Sequence, residues 1–265
     1  MATTKSNYEQ IIEALFQKHF ISGTQYLDFS REEVIEIAQK LGIARPRNIG
    51  DIFYSYRYRR ELPASIRITA PAGFQWEIRP TGIGQYRFAL LKEIMIAPAT
   101  NYLVTKIPDA TPGIIRKYAM NDEQALLAVL RYNRLIDIFT SLTCYSLQNH
   151  LRTTVKDIGQ VETDELYVGV DKFGVHYIVP LQAKGGTDRI GPIQIEQDFA
   201  ICEEKFPGLI CRPIAAQFMA KDTIALFEFV NTQEGMKIAS ERHYKLVPPN
   251  DLTQQELTIY RQHSD

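Results

Sequence analysis

The sequence has few cysteines, and it lacks the long apolar runs and the excess of one charge that mark several classes of protein. Its three cysteines, Cys144, Cys202 and Cys211, lie far apart, with no CxxC pair and no histidine cluster. This spacing argues against a zinc site and a disulfide framework, and it favours a reducing cytoplasm. There is no run of about 18 apolar residues, and the polar N-terminus lacks the apolar region of a secretory leader. We therefore expect a soluble cytoplasmic protein with no membrane partner.

The charge balance and the catalytic motifs that are missing narrow the range of functions. With 30 basic and 31 acidic residues the net charge is −1, so bulk charge does not indicate a polyanionic partner. The sequence has no Ser-His-Asp signature, no Rossmann fingerprint and no HExxH motif, which argues against a protease or a dehydrogenase. The glycine pair after Lys184 also lacks the GxxxxGK[ST] pattern of a phosphate-binding loop.

The N-terminal third predicts three helices followed by short strands. Apolar spacing indicates a helix over 8–20, and Ser30 with Glu33 forms the capping box of a second helix that ends at Gly42. Pro46 opens a third helix, "PRNIGDIFYSYRYRREL". The strands expected next are "SIRITAP", "FQWEIRPTG" and "GQYRFALLK". Three helices and a β-hairpin resemble a winged helix, so residues 1–95 are predicted to be a DNA-recognition domain.

The rest of the chain predicts a connector and a larger α/β (α+β) domain. Residues 96–120 contain several prolines and are expected to be the connector. In 121–265 we expect a helix at "DEQALLAVLRYNRLIDIF", a second helix at about 141–154, and two strands joined by the turn "DKFG". The helix "IQIEQDFAICEEKF", more strands and a short polar tail follow. This order predicts a central mixed sheet flanked by helices.

One strand of this domain ends in an unusual polar pair. The apolar run "VHYIVPLQAK" places Gln182 and Lys184 two residues apart, so both project from the same face of the strand. Counting back from the turn puts Gln182 opposite Thr163, or opposite Asp164 if the register includes one bulge. In either register the pair faces the acidic cluster "ETDE", residues 162–165.

Such a cluster has the groups that phosphodiester hydrolysis needs. Carboxylate and carbonyl oxygens hold a hard cation such as Mg²⁺. The metal polarises the phosphate and acidifies an attacking water, while a lysine orients that water or stabilises the developing charge. The pattern therefore favours a metal-dependent nuclease, whereas the alternative is a solvated strand end with chance charges.

The pattern of Asp164 followed by Gln182-Ala183-Lys184 resembles the PD-(D/E)xK nuclease superfamily, which includes most type II restriction endonucleases. The likeness covers about residues 121–216, and the N-terminal domain is winged-helix-like. This chain carries Gln182 where the family usually has a second acid, so weaker metal binding is expected. The resemblance implies four catalytic residues: Asp164, Gln182, Lys184 and Glu165. It implies three ligands for Mg²⁺, with Mn²⁺ as a substitute: Asp164, Gln182 and Ala183.

The sequence leaves open which acid holds the metal. Asp164 is the first choice, since it best matches the aspartate of the family, and Glu162 and Glu165 are the alternatives. Glu123 resembles the extra helix glutamate of some members, although an acid at a helix N-terminus is also favoured by the helix dipole alone.

Two polar sets are candidates for DNA contact. Arginine reads guanine edges and phosphates, and amide side chains can read adenine. The first set lies on or near the third helix: Arg45, Arg47, Asn48, Tyr54, Arg57 and Arg59. The second set precedes the site strands: Gln148, Asn149, His150 and Arg152. Arg79 and Arg87 on the hairpin are weaker candidates, and the tyrosines of the third helix are alternatively core residues.

We therefore expect a sequence-specific, Mg²⁺-dependent endonuclease that cuts double-stranded DNA in a restriction-modification system. Cutting both strands of a palindrome favours a homodimer, and such a system includes a cognate DNA methyltransferase. A non-catalytic winged-helix regulator is one alternative, because Gln182 replaces an acid. A structure-specific repair or transposition nuclease is another.

Overall fold

The computed structural model describes residues 5–46, 48–58, 60–94, 96–118, 123–156, 158–185, 188–219, 223–232 and 235–262. The chain divides into two compact units. The first comprises residues 1–95 with 154–161, and the second comprises 96–153 with 162–265.

The first unit consists of helices and a three-stranded antiparallel sheet in the order β1-β3-β2. Its elements in chain order are α1 (Asn7–His19), β1 (Tyr26–Ser30), α2 (Arg31–Lys40), α3 (Ile49–Tyr58), α4 (Ala64–Arg67), β2 (Phe74–Gly82) and β3 (Gln85–Lys92).

Local chemistry explains where the helices of this unit begin and end. The hydroxyl of Ser6 accepts the Glu9 N–H at 3.2 Å and caps α1. The capping box predicted for α2 is confirmed, since the Ser30 N–H donates to the Glu33 carboxylate at 2.9 Å. Just after α2, Gly42 takes the left-handed φ of +67° that favours glycine.

The core of the first unit is aromatic. The ring of Phe16 on α1 meets Trp76 on β2 and Phe88 on β3 edge to face, with centroids 5.2 and 5.1 Å apart. All three side chains are buried. Because each buried aromatic side chain contributes about 1.5–3 kcal/mol, this cluster holds helix and sheet together.

One of the elements predicted here is wrong, and one strand was not predicted. The segment "SIRITAP" forms the short helix α4, because the Ile66 and Arg67 N–H groups both donate to the Pro63 carbonyl. The third strand of the sheet is instead β1, in which Leu27 and Phe29 are buried between exposed neighbours. The predicted third helix is confirmed but shorter, as α3.

The second unit contains a mixed sheet of eight strands, apart from residues 154–161, which belong to the first unit. Its elements in chain order are β4 (Val104–Pro108), α5 (Gly113–Tyr118), α6 (Glu123–Tyr132), α7 (Leu135–Thr140), β5 (Thr143–Val155), β6 (Gly159–Val170), β7 (His176–Lys184), α8 (Pro192–Lys205), β8 (Ile210–Cys211), β9 (Ile214–Phe218), β10 (Thr223–Thr232), β11 (Gly235–Val247), a 3₁₀ turn (Pro249–Asp251) and α9 (Gln254–Gln262).

The strand order is β4-β11-β10-β9-β7-β6-β5, with β8 paired to β7. Strand β9 runs parallel to β7 and β4 runs parallel to β11, whereas β6–β7, β9–β10 and β10–β11 are antiparallel. The predicted mixed sheet flanked by helices is confirmed.

Strand β7 is buried on both faces, as its continuous apolar run predicts. Val179, Leu181 and Ala183 pack in one cluster with leucines of α6 and α7. Ile178, which points the other way along the strand, packs with Cys202 of α8. Helices on both faces thus hold β7 rigidly at the centre of this unit.

The helix expected at about 141–154 is wrong, because residues 143–155 form the edge strand β5. Most of β5 is exposed. Because the segment has no continuous buried face, its apolar residues show no spacing that distinguishes a strand from a helix. Residues 96–120, predicted as a connector, contain β4 and α5, and β4 joins the sheet beside β11.

Candidate functional site

The candidate site lies where β6, β7 and α8 meet. The turn between β6 and β7 is built on Asp171, whose carboxylate accepts the N–H groups of Phe173 and Val175 at 2.8 and 2.9 Å. Val170 pairs with His176, so this turn holds one residue more than predicted. The antiparallel pairing of β6 with β7 continues to Glu165 opposite Leu181. One further step along both strands would place Gln182 opposite Asp164. Extended by that one step, the pairing matches the second of the two registers that the sequence left open.

Gln182 is completely enclosed by protein, with 1% of its surface exposed. Its side-chain nitrogen donates to both carboxylate oxygens of Asp198 on α8, at 3.0 and 3.1 Å, and to the Glu162 carbonyl at 3.2 Å. Its side-chain oxygen accepts a long hydrogen bond of 3.4 Å from Gln194. These contacts fix the amide with its nitrogen towards Asp198.

Asp198 is the functional candidate that sequence reasoning missed. It is fully buried, and burial raises the pKa of its carboxyl well above the ordinary value. Hydrogen bonds from Gln182 and Thr163 oppose that shift, and the charge of Asp164 adds to it. A signal existed, because Asp198 interrupts the buried face that Ile195, Ile201 and Cys202 form on α8.

Asp164 lies beside the strand end that carries the predicted motif. Its carboxylate accepts the backbone N–H of Ala183 at 2.8 Å, and its side chain is half-buried. The structure therefore brings Asp164 and Ala183 together, with Gln182 and Asp198 next to them. Asp164 thus contacts the backbone of the motif strand, and Asp198 contacts the Gln182 side chain of the same strand.

Lys184 is the last residue of β7 and is half-buried. The ladder between β7 and β9 is regular through the pair Lys184 and Gln217, so Lys184 shares a face with Gln182. The structure thus keeps the predicted lysine on the same face of β7 as Gln182, which contacts Asp198.

The two alternative acids point to other partners. Glu162 binds His150 at 2.8 Å and Arg152 at 2.9 Å, both on β5. Glu165 is fully buried, where it accepts the Ser146 hydroxyl at 2.6 Å and lies 3.5 Å from Arg131. Among the described contacts of the three acids, Asp164 is the one whose carboxylate binds the motif strand. Glu123 begins α6, but its side chain lies outside the described residues.

The first set of DNA-contact candidates lies around α3. Arg45 and Asn48 are exposed, and Asn48 accepts the Gly50 N–H at 3.0 Å while donating to Asp51, so it also caps the helix. Tyr54 and Arg57 are half-buried. Arg47 and Arg59 lie outside the described residues.

The remaining candidates lie on strands. Gln148 and Asn149 are exposed on β5, and the side chains of His150 and Arg152, which follow them, both bind Glu162. On the hairpin of the first unit, Arg79 pairs with Glu77 and Arg87 forms two hydrogen bonds to Asp28. All of these arginines have an acidic partner that a DNA phosphate would have to replace.

The donor set can be compared with what a metal ion needs. Within the described residues, no three His, Cys, Asp or Glu side chains are grouped as metal ligands. Mg²⁺, however, is commonly held by one or two carboxylates, with waters and substrate phosphates completing its shell. Asp164 and Asp198 supply two carboxylates. The negative charge of Asp164 adds to the effect of burial in raising the pKa of the Asp198 carboxyl. A cation bound here would relieve this repulsion, and two oxygen donors of the kind that Mg²⁺ prefers are present.

No family model matches the sequence, and no curated protein or solved structure matches the chain. Among the described helices, none is long and apolar enough to cross a membrane. The geometry of the site is therefore the basis on which a function can be argued.

Proposed function

We propose that this protein is a divalent-metal-dependent DNA endonuclease of the restriction type, with a PD-(D/E)xK-like site. The observation that carries the proposal is the carboxylate pair around the end of β7. Asp164 contacts Ala183, and Asp198 contacts Gln182, in the strand that ends at Lys184. Asp198 would supply, from α8, the acidic group that Gln182 does not.

The roles of the residues follow from their chemistry. When bound, Mg²⁺ or Mn²⁺ would polarise the scissile phosphate and lower the pKa of an attacking water. Asp164 and Asp198 would hold the cation, with the Ala183 carbonyl as a further oxygen donor. Gln182 keeps the Asp198 carboxylate oriented through two hydrogen bonds. Lys184 would stabilise negative charge that develops on the phosphate oxygens.

The core topology supports the same proposal. Helices α6 and α7, the antiparallel pair β6–β7, helix α8 and strand β9 parallel to β7 follow the helix–strand–strand–helix–strand order on which the resemblance rests. The extra strand β5 extends the antiparallel part at the edge of the sheet.

The first unit supports recognition of double-stranded DNA. Its order of helix, strand, two helices, a short helical turn and a β-hairpin corresponds to that of winged-helix domains. We propose that α3 and the exposed residues Arg45 and Asn48 contact DNA. A cytoplasmic homodimer, acting with a cognate methyltransferase, would complete the restriction-modification role.

The proposal is tested by incubating mixed-sequence phage DNA with the protein and Mg²⁺. Discrete fragments are expected from the wild type. Lys184→Ala and Asp164→Ala should each reduce the cleavage rate at least about 100-fold, as loss of a transition-state contact does. Lys205→Ala, on the exposed end of α8, is the matched control and should leave the rate unchanged.

One observation favours a second candidate, a non-catalytic DNA-binding regulator. Gln182 carries no charge, and its amide is occupied by protein groups. If the wild type binds DNA but leaves it intact with both Mg²⁺ and Mn²⁺, the nuclease proposal fails and the regulator replaces it.

A further inference from the structure

Two of the three cysteines lie together, one on the helix that carries Asp198 and the other on β8. Cys202 on α8 and Cys211 on β8 both line a cavity of about 280 Å³. Phe199, Phe206 and Leu209 form apolar walls, and Glu203 and Asn231 are the polar lining residues. Both cysteines also pack in one apolar cluster with Ile178 of β7. Both thiols are free.

The two thiols differ in accessibility. Cys202 is 2% exposed, whereas Cys211 is half-buried. Hydrogen bonding with the Cys211 thiol raises the pKa of Cys202, and burial raises it further. A reagent that enters the cavity therefore meets Cys211 first, with Cys202 protonated behind it.

We propose that Cys202 and Cys211 form a redox-active dithiol that small, neutral organic disulfides oxidise within this cavity. The Cys211 sulfur, losing its proton to solvent, attacks one sulfur of the reagent; the S–S bond of the reagent breaks, a mixed disulfide forms, and the thiolate that leaves takes up a proton from solvent. The Cys202 sulfur, losing its proton to solvent, then attacks the sulfur of Cys211 and releases the second thiol. One protein disulfide forms, and one reagent disulfide is reduced to two thiols.

The location of the pair gives this bond a structural consequence. Cys202 lies four residues after Asp198, on the same face of α8. The disulfide would tie that helix to β8, which pairs with β7 through Cys211 and Ile178. The dithiol itself does not depend on the proposed nuclease activity.

The test uses the full-length protein and 2-hydroxyethyl disulfide, a small neutral reagent. We expect the wild type to lose two hydrogen atoms in its intact mass, and a non-reduced peptide map to join Cys202 to Cys211. Cys202→Ser should instead stop at a mixed disulfide on Cys211, which reports the order of the two attacks. Cys144→Ser is the matched control and should behave as the wild type.

Circular dichroism of each variant confirms that the fold is retained before the reaction. The proposal is overturned if the wild type stays reduced, or if it accumulates only a mixed disulfide. A protein disulfide that involves Cys144 would overturn it as well.

Discussion

At the scale of single residues, Gln182 and Asp198 form a buried contact at the candidate site. The amide nitrogen donates to both oxygens of a buried carboxylate, at 3.0 and 3.1 Å. Replacing the donor by an acceptor would place two carboxylates against each other in a buried site, which is unfavourable unless a cation lies between them.

We therefore predict that Gln182→Glu lowers the free energy of unfolding by about 1–3 kcal/mol in the presence of EDTA. Saturating Mg²⁺ should recover most of this loss, because the added carboxylate becomes a ligand. Chemical denaturation with and without the metal measures both effects.

Gln217→Glu is the matched control for that experiment. Gln217 is also buried, and its amide donates to the carbonyls of Lys184 and Phe218 at 3.4 Å. Its replacement should destabilise the fold without recovery in Mg²⁺. Equal recovery in both variants would contradict a metal site at Gln182.

A second prediction at this scale concerns Tyr167 on β6. Its hydroxyl and the Oε2 atom of Glu165 are buried, and neither atom has a partner with good hydrogen-bond geometry among the described residues, although burial and the neighbouring Glu165 carboxylate raise the pKa of the tyrosine. Since a buried hydroxyl without a partner keeps its desolvation cost, Tyr167→Phe should change stability by less than about 0.5 kcal/mol or increase it. Thermal unfolding measures the shift.

Tyr177→Phe provides the comparison for Tyr167. The hydroxyl of Tyr177 donates to Asp171 at 3.2 Å, so its removal should cost about 0.5–1.5 kcal/mol. A larger loss at Tyr167 than at Tyr177 would show that the Tyr167 hydroxyl has a partner in solution.

Part of this site could be predicted because its residues lie close together in the sequence. Asp164, Gln182 and Lys184 lie on two strands joined by a tight turn, so counting residues back from the turn brings them together. Asp198 lies on a helix, and the packing of α8 on the sheet decides which strand residue it meets. Local spacing carries no information on that packing, although an acid on a buried helical face indicates a buried partner.

At the scale of elements, helix α2 shows how one carboxylate organises a helix start. Glu33 accepts the Ser30 N–H at 2.9 Å and also binds Lys18 and His19, at 2.5 and 2.7 Å. Burial opposes ionisation of this group, but the three hydrogen bonds outweigh it and lower the pKa of Glu33 to about 2. The folded state therefore favours the ionised form.

We predict that Glu33→Gln lowers the free energy of unfolding of the first unit by about 1–2 kcal/mol at pH 7, a value reduced for partial solvent screening. Because the folded-state pKa lies below the ordinary value of 4.5, this contribution is complete above pH 4.5. It is lost as the pH falls towards 2, so wild type and variant should converge there. Denaturant titrations over this pH range measure the difference.

Glu36→Gln is the control on the same helix. Glu36 is 58% exposed and lies 3.9 Å from Lys18, so its replacement should cost less than about 0.5 kcal/mol. An equal loss of the free energy of unfolding in both variants at pH 7 would show that the capping contacts of Glu33 do not stabilise the first unit more than the exposed contact of Glu36.

The elements that sequence reasoning got wrong share a physical cause. Strand β5 exposes most of its length, and α4 is a single turn that follows Pro63, so neither has a long buried face. Strand β7 and helix α8 do have such faces, and both were predicted correctly. A buried face places apolar residues at regular positions along the sequence, and this pattern identifies the element. Where little of a segment is buried, its structure depends on partners that are distant in the sequence.

At the scale of the whole molecule, each unit has its own hydrophobic core. The cluster around Phe16 and Phe88 belongs to the first unit, and the cluster around Leu127 and Leu181 belongs to the second. The mixed sheet could be predicted from the alternation of helices and strands. Its full order could not, because β4 and β11 are far apart in the sequence and pair only in the folded protein.

The near-neutral charge of the molecule also bears on the proposed DNA binding. With a net charge of −1, attraction to DNA must come from local arginines, several of which are already paired with acids. We predict that binding weakens steeply as salt rises from 50 to 200 mM, by about 10³-fold or more if six phosphates are contacted. Fluorescence anisotropy measures this slope, and salt-independent binding would contradict phosphate contact.

The central claim is that Asp164 and Asp198 together hold a divalent cation, and a Mn²⁺ titration followed by electron paramagnetic resonance tests it most directly. Glu204→Gln, on the exposed side of α8, serves as the control variant. The account predicts saturable binding in the wild type and in the control, with affinity reduced at least about tenfold in Asp164→Asn and in Asp198→Asn. Unchanged Mn²⁺ affinity in Asp198→Asn would contradict it.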